Sequence, residues 1–120
     1  MFLHGGGFFA GASHTAVLRG HNFAKELDVV YVALNFRLGA LGYVDMSSLD
    51  VPDAAGCEPN PATRDQLLAL EWVRKNIAGF GGDPDNVVLM GESAGGTSAA
   101  ALMTIPAARG LFHRVILQSA

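Results

Sequence analysis

Apolar residues in this chain fall into several short unbroken runs and one longer periodic stretch, and the two patterns predict different elements. Val29-Val30-Tyr31-Val32-Ala33-Leu34 is continuous, β-branched and apolar, as expected of a parallel strand covered on both faces. Val87-Val88-Leu89-Met90, Arg114-Val115-Ile116-Leu117-Gln118 and the short opening run Met1-Phe2-Leu3 also read as strands. The periodic stretch is different. Leu67, Leu70, Trp72, Val73 and Ile77 give one apolar face to a helix that runs to about residue 78. Asn60-Pro61 supplies its start, as an N-cap with proline at the first helical position. His21 to Leu27 predicts a short helix, and the small residues after position 94 can begin another. Between these lie a long connection, 37–60, rich in Gly, Pro, Asp and Ser, and a turn segment, 79–86. The order strand, helix, strand, helix, strand, helix, strand argues for an α/β parallel sheet, with no internal repeat, linker or low-complexity tract.

Composition narrows the class. The chain has 120 residues, 50% hydrophobic and 16% charged, with mean hydropathy +0.29, which describes one globular unit with a large buried fraction. A net charge of -3 and a pI near 5.7, without basic clusters, leave no electrostatic footprint for nucleic acid. No apolar run approaches the roughly 20 residues that span a bilayer. The first residues have the small-residue character of a secretory leader, but they lack a positive start and are broken by three glycines. Cys57 is the only cysteine, which excludes an intramolecular disulfide or a thiolate metal cluster, is compatible with a cytoplasm, and has nothing beside it to activate it. His4, His14, His21 and His113 have no metal-site spacing, no P-loop is present, and Asp83, Asp85 and Asn86 read as turn residues. Trp72 and the leucines around it read as core. No metal or cofactor is expected.

Two short motifs carry chemistry. Gly91-Glu92-Ser93-Ala94-Gly95 sits between a predicted strand and a predicted helix. A serine at such a corner, with glycine two residues to either side, is the pattern of a nucleophile elbow: the turn is too tight for side chains at the flanking positions, and the serine is held strained with its hydroxyl exposed. The pattern alone is weak, arising by chance in roughly one chain in twenty of this length. A second motif strengthens it. In His4-Gly5-Gly6-Gly7-Phe8 three glycines follow a short apolar run, so the backbone can pass close to a substrate with N–H groups turned inward, one half of an oxyanion hole. Read alone, the same glycines fit a flexible turn.

With these motifs stand Asn35-Phe36-Arg37-Leu38-Gly39, Asp65-Gln66 with Ala69-Leu70-Glu71-Trp72-Val73, Asn76-Ile77, and Phe80-Gly81-Gly82-Asp83-Pro84. In this order they resemble the type-B carboxylesterase and cholinesterase family of the α/β-hydrolase fold, and the resemblance runs through nearly the whole chain. It implies a serine ester hydrolase acting on a small-molecule ester without a cofactor. Ser93 would be the nucleophile, Gly6, Gly7 and Ala94 would supply oxyanion N–H groups, and Glu92 would be a buried carboxylate tuning the site. Arg37 and Asp65 would form a buried structural salt bridge anchoring the long connection. The strand before the glycine loop would lie beside the elbow strand, leaving 29–34 and the last strand as opposite outer edges. Phe36 replaces the more usual tyrosine, and Ala62-Thr63 the more usual Gly-Leu, without touching the chemistry.

One departure bears on function. The triad order in this fold is Ser, then Asp or Glu, then His, yet the 27 residues after Ser93 contain no acid and only His113. In the family that histidine matches a position with no catalytic role. The expectation is therefore a partial α/β-hydrolase domain over 1–120, lacking the N-terminal strands and the C-terminal part. The alternative to a serine esterase is a catalytically inert piece of one. A hormone-sensitive-lipase-like group shares the glycine loop but not the Asn-Phe-Arg-Leu-Gly and Phe-Gly-Gly-Asp-Pro motifs, and adhesion-type relatives lack the serine.

Overall fold

A computed structural model of the chain describes residues 1–52 and 54–120; Asp53, within the 37–60 connection, lies outside them. Three strands form a parallel sheet in the order β1 (Phe2–Leu3), β2 (Val88–Glu92), β3 (Arg114–Gln118). The register pairs Leu3 with Gly91 and Gly91 with Leu117, so β2 is flanked on both sides and its carboxyl end is the centre of the layer. The helices are α1 (His21–Leu27), α2 (Ala40–Tyr43), α3 (Pro61–Asn76) and α4 (Ala94–Leu102). The core forms where α3 and α4 meet the sheet: Leu70 from α3, Ala99 and Leu102 from α4, and Leu3 and Leu89 from the strands are all fully buried in one cluster with Leu111. At about 1.5–3 kcal/mol for each large aliphatic side chain, this cluster is the main force holding α4 to β2.

Three expectations are corrected. The run 29–34 is extended but is not a full strand: it touches the sheet through a single parallel bridge, Phe2 to Ala33, with the Phe2 N–H donating to the Val32 carbonyl at 2.8 Å. Nor is it covered on both faces, since Val29 and Val30 are 43% and 39% exposed. It is the outer edge beside β1, as β3 is the outer edge on the other side.

Trp72 is not core. The buried face of α3 runs through Ala62, Gln66, Leu70 and Val73 at helical spacing, and Trp72, two positions from Leu70, points away. It is 46% exposed and rests on Phe80 with ring centroids 5.7 Å apart.

Asn60 precedes α3 and Pro61 takes the first helical position, but Asn60 adopts a left-handed conformation (φ 52°) and makes no side-chain cap. A residue before proline is disfavoured in the right-handed helical region, and here its carbonyl, not its side chain, starts the helix by accepting from Thr63 at 3.0 Å. The turn reading of 83–86 corresponds to Asp83, whose carboxylate accepts the Asp85 N–H at 2.8 Å. No helix among the described residues is long and apolar enough to cross a membrane.

Candidate active site

β2 ends at Glu92, Ser93 follows at φ 53° and ψ -120°, and α4 begins at Ala94. A non-glycine residue at positive φ is strained and persists only where its surroundings dictate it. Here they do. The Ser93 N–H donates to the Gln118 carbonyl at 2.8 Å, continuing the ladder with β3, while the Ser93 carbonyl accepts the Thr97 N–H at 2.9 Å and so belongs already to α4. One residue completes the sheet and opens the helix.

The flanking glycines permit this through two separate close approaches. A Cβ on Gly91 would lie 2.2 Å from the Gly95 carbonyl oxygen, inside the turn itself. A Cβ on Gly95 would lie 2.1 Å from the Leu3 carbonyl oxygen and 2.7 Å from that of His4, where the helix crosses the end of β1. The second contact brings the glycine loop to the elbow. Gly5 sits directly on it: a Cβ there would stand 2.9 Å from the Glu92 carbonyl oxygen and 3.1 Å from Cβ of Ser93.

The loop is shaped by its own hydrogen bonds. Phe9 and Ala10 both donate to the Gly6 carbonyl, at 3.2 and 3.0 Å, and Gly39 donates to the Phe8 carbonyl at 2.8 Å. Gly6, Gly7 and Phe8 all have positive φ. No acceptor among the described residues takes the N–H of Gly6, Gly7 or Ala94. Gly6 and Gly7 are exposed and Ala94 is buried at the first turn of α4, where helix N–H groups are unsatisfied and the partial charge is positive.

His4 is buried under the loop. Its ring stacks on Phe36 at 4.6 Å and 16°, and Nδ1 lies 2.8 Å from the Gly5 carbonyl oxygen, to which it donates. Gly11 closes the loop over that ring, since a Cβ on it would lie 2.5 Å from His4 Nδ1 and 2.4 Å from the Gly5 oxygen. Gly11 was not apparent from the motif; a glycine a few residues beyond the triplet, between two alanines, was its only sequence signal. Glu92, expected buried, is only partly so.

Among the described residues no histidine hydrogen-bonds to Ser93. His4 Nδ1 is engaged by the Gly5 carbonyl and its Nε2 is buried without a partner, and His113 Nδ1 accepts the Val87 N–H at 3.1 Å at the opposite end of the sheet.

Arg37 and Asp65 meet in a two-pronged pair. Arg37 Nε donates to Oδ2 at 2.9 Å and Nη2 to Oδ1 at 2.7 Å, and the Arg37 backbone N–H adds a third bond to Oδ2 at 3.0 Å. The pair is not buried as expected: the side chains are 53% and 24% exposed. The hydrogen bonds from Arg37 hold the Asp65 carboxyl below the usual carboxylate range. Behind α4, the Tyr43 hydroxyl sits beside Ser98 and Gln66, and burial pushes its phenol above the usual range.

The carboxylesterase family model matches residues 1–120. The chain is 45% identical over 119 residues to the para-nitrobenzyl esterase of Bacillus subtilis (strain 168), covering 99% of this chain and 24% of that protein. It is 45% identical over 120 residues to cholinesterase 1 of Branchiostoma lanceolatum, covering 100% of this chain and 32% of that one. Among solved structures, the Geobacillus stearothermophilus carboxylesterase superposes with a TM-score of 0.92 at 42% identity, over 99% of this chain and 25% of that one. The chain thus spans about a quarter to a third of the length of these relatives.

Proposed function

The chain belongs to the carboxylesterase family and carries part of the α/β-hydrolase fold, and on that footing we propose that it is the nucleophile-bearing part of a serine ester hydrolase. Hydrolysis of carboxylic esters is the chemistry of the family. A base from outside these residues takes the hydroxyl proton as Ser93 Oγ attacks the ester carbonyl, the carbonyl oxygen becomes an anion, and the N–H groups of Gly6, Gly7 and Ala94 meet it. The bond to the alcohol oxygen then breaks, that oxygen takes the proton back from the base, and water, deprotonated by the same base, later releases the acid from the Ser93 acyl-enzyme. Donors already in place before charge develops stabilise the transition state without reorganisation, and one such donor is worth about 10²–10³ in kcat. Glu92, beside the nucleophile, favours a cationic base during the reaction.

The observation that carries this reading is the seating of Gly5 on the elbow, 3.1 Å from its would-be Cβ to Ser93 Cβ, with Ser93 itself at positive φ. The base comes from outside these residues. The lack of a histidine hydrogen-bonded to Ser93 among the described residues also favours the second reading, that the 120 residues alone are inert. The two readings agree on the role of Ser93 and differ only in what completes it.

Replacing the matching segment of the Bacillus subtilis para-nitrobenzyl esterase with these 120 residues tests the proposal. The chimera is expected to hydrolyse p-nitrophenyl butyrate and to react with a fluorophosphonate probe. Ser93→Ala in the same chimera is expected to lower kcat by about 10⁶, as loss of the nucleophile does in a serine protease. A folded chimera whose activity survives Ser93→Ala would overturn the assignment.

A further inference from the structure

A cleft of about 490 Å³ lies far from Ser93, between the end of α4 and the start of β3. β3 starts opposite Val88, at the other end of β2, so at about 3.3 Å per residue the cleft is some 15 Å from the elbow. Its lining mixes cationic and apolar groups. Arg109, His113 and Arg114 face it, and no acidic residue among the described ones does; indeed no Asp or Glu occurs anywhere after Glu92. Ile105, Phe112 and Val115 supply an apolar wall, interrupted by Thr104, with Leu102 itself fully buried.

We propose that this cleft binds an amphiphilic carboxylate, the acid group held by the Arg109, His113 and Arg114 rim and the alkyl chain lying on the apolar wall. The cations there lack carboxylate partners. Ion pairs among the described residues use Arg37, Arg64 and Lys75, whereas Arg74 donates to the Gly110 carbonyl and Arg114 to the neutral Asn86 side chain. Arg109 has no ion-pair or side-chain hydrogen-bond partner among the described residues. In a chain of net charge -3, this leaves a local positive excess that attracts anions.

His113 adds a donor. The Val87 N–H donates to its Nδ1 at 3.1 Å, so the neutral ring carries its proton on Nε2. The carboxyl end of α4 also points here, but its last carbonyls are taken: Met103 donates to Ala99 at 3.3 Å, Thr104 to Ala101 at 2.9 Å and Ile105 to Leu102 at 3.3 Å. They present little bare negative charge to a ligand. Guanidinium groups match the planar fork of a carboxylate, and the apolar wall selects an anion with a tail over a bare one.

Equilibrium dialysis of the chain, kept dilute to hold association down, against octanoate, acetate, inorganic phosphate and octanol tests the site. Octanoate is expected to bind saturably at one site, and acetate, phosphate and octanol at least about tenfold more weakly, since each lacks either the tail or the carboxylate. Arg109→Gln with Arg114→Gln is expected to weaken octanoate at least about tenfold, since two charge-assisted contacts are lost; Ser93→Ala is expected to change nothing, which separates this site from the elbow. The acetate comparison needs no variant, so it stands even where the double variant folds poorly. Phosphate or octanol binding as tightly as octanoate, no octanoate binding, or affinity unchanged in a folded double variant would each overturn the proposal.

Discussion

The elbow and the outer edge at 29–34 begin from similar sequence signals, a run of β-branched and apolar residues, and end differently. At 87–90 the run becomes β2, paired on both sides, and each following residue is held by backbone contacts: Gly91 to Gly95, Ser93 to Gln118, Gly95 to Leu3. At 29–34 the run makes one bridge and leaves Val29 and Val30 more than a third exposed. An apolar run reports that a segment is suited to being covered; whether it becomes a strand depends on a neighbour that pairs along its length, as β2 does for β3 and the two-residue β1 cannot for 29–34. The contrast predicts where the molecule is rigid and where it is adhesive.

The largest expected effect lies at the elbow. Gly95→Ala would drive a methyl group into the Leu3 and His4 carbonyls, backbone atoms that cannot swing aside. It is expected to cost about 3 kcal/mol or more, or to prevent folding. Gly79→Ala, where nothing lies within 4 Å of the new Cβ, is expected to be nearly neutral or slightly stabilising. Equal urea midpoints for the two variants would show that the elbow is less constrained than its geometry implies.

The edges should show the next effect. Val29, Val30, Ile116 and Leu117 are exposed on the two outer edges, and unpaired apolar edges are templates for association between chains. The chain is expected to form oligomers or precipitate, and lysine at Val30 and Leu117 to shift it toward monomer in light scattering. A wild-type chain that is monomeric with a sharp thermal transition would contradict this.

The smallest effect is expected at Arg37 and Asp65. Because solvent screens the pair, Asp65→Asn should lower stability only slightly, and less still in high salt. The folded-state pKa of Asp65 is depressed, so its contribution is present above the ordinary carboxylate value near 3.9 and is lost as pH falls through the lower folded value. Wild type and Asp65→Asn should therefore converge in stability in acid and separate toward neutral pH. A gap independent of pH would mean that Asp65 acts through packing.

Much of this was legible in the sequence because the signals were local. The bounds of α1 and β3, the proline opening α3, and the strand-serine-helix corner all follow from residues adjacent in the chain. What was not legible depended on distant partners. Trp72 counts as apolar in any periodic reading, and only the position of the sheet decides that Leu70 and Val73 face inward and Trp72 does not. Gln66, a polar residue, is fully buried beside them. The burial expected of Arg37 failed for the same reason: pairing can be read from residue types, but depth depends on what else packs nearby. The short α2 inside 37–60 was hidden by the turn-forming residues around it.

Whether Ser93 is a nucleophile that lacks its base within these residues, as proposed, is tested most directly by the turnover of p-nitrophenyl butyrate by the 120-residue chain beside its Ser93→Ala variant. Loss of the triad histidine costs about 10⁶ in kcat in a serine protease, so the two are expected to differ barely, both far below an ordinary esterase. Turnover within tenfold of the ordinary enzyme median of about 10 s⁻¹, abolished by Ser93→Ala, would contradict the account and require a base among these residues.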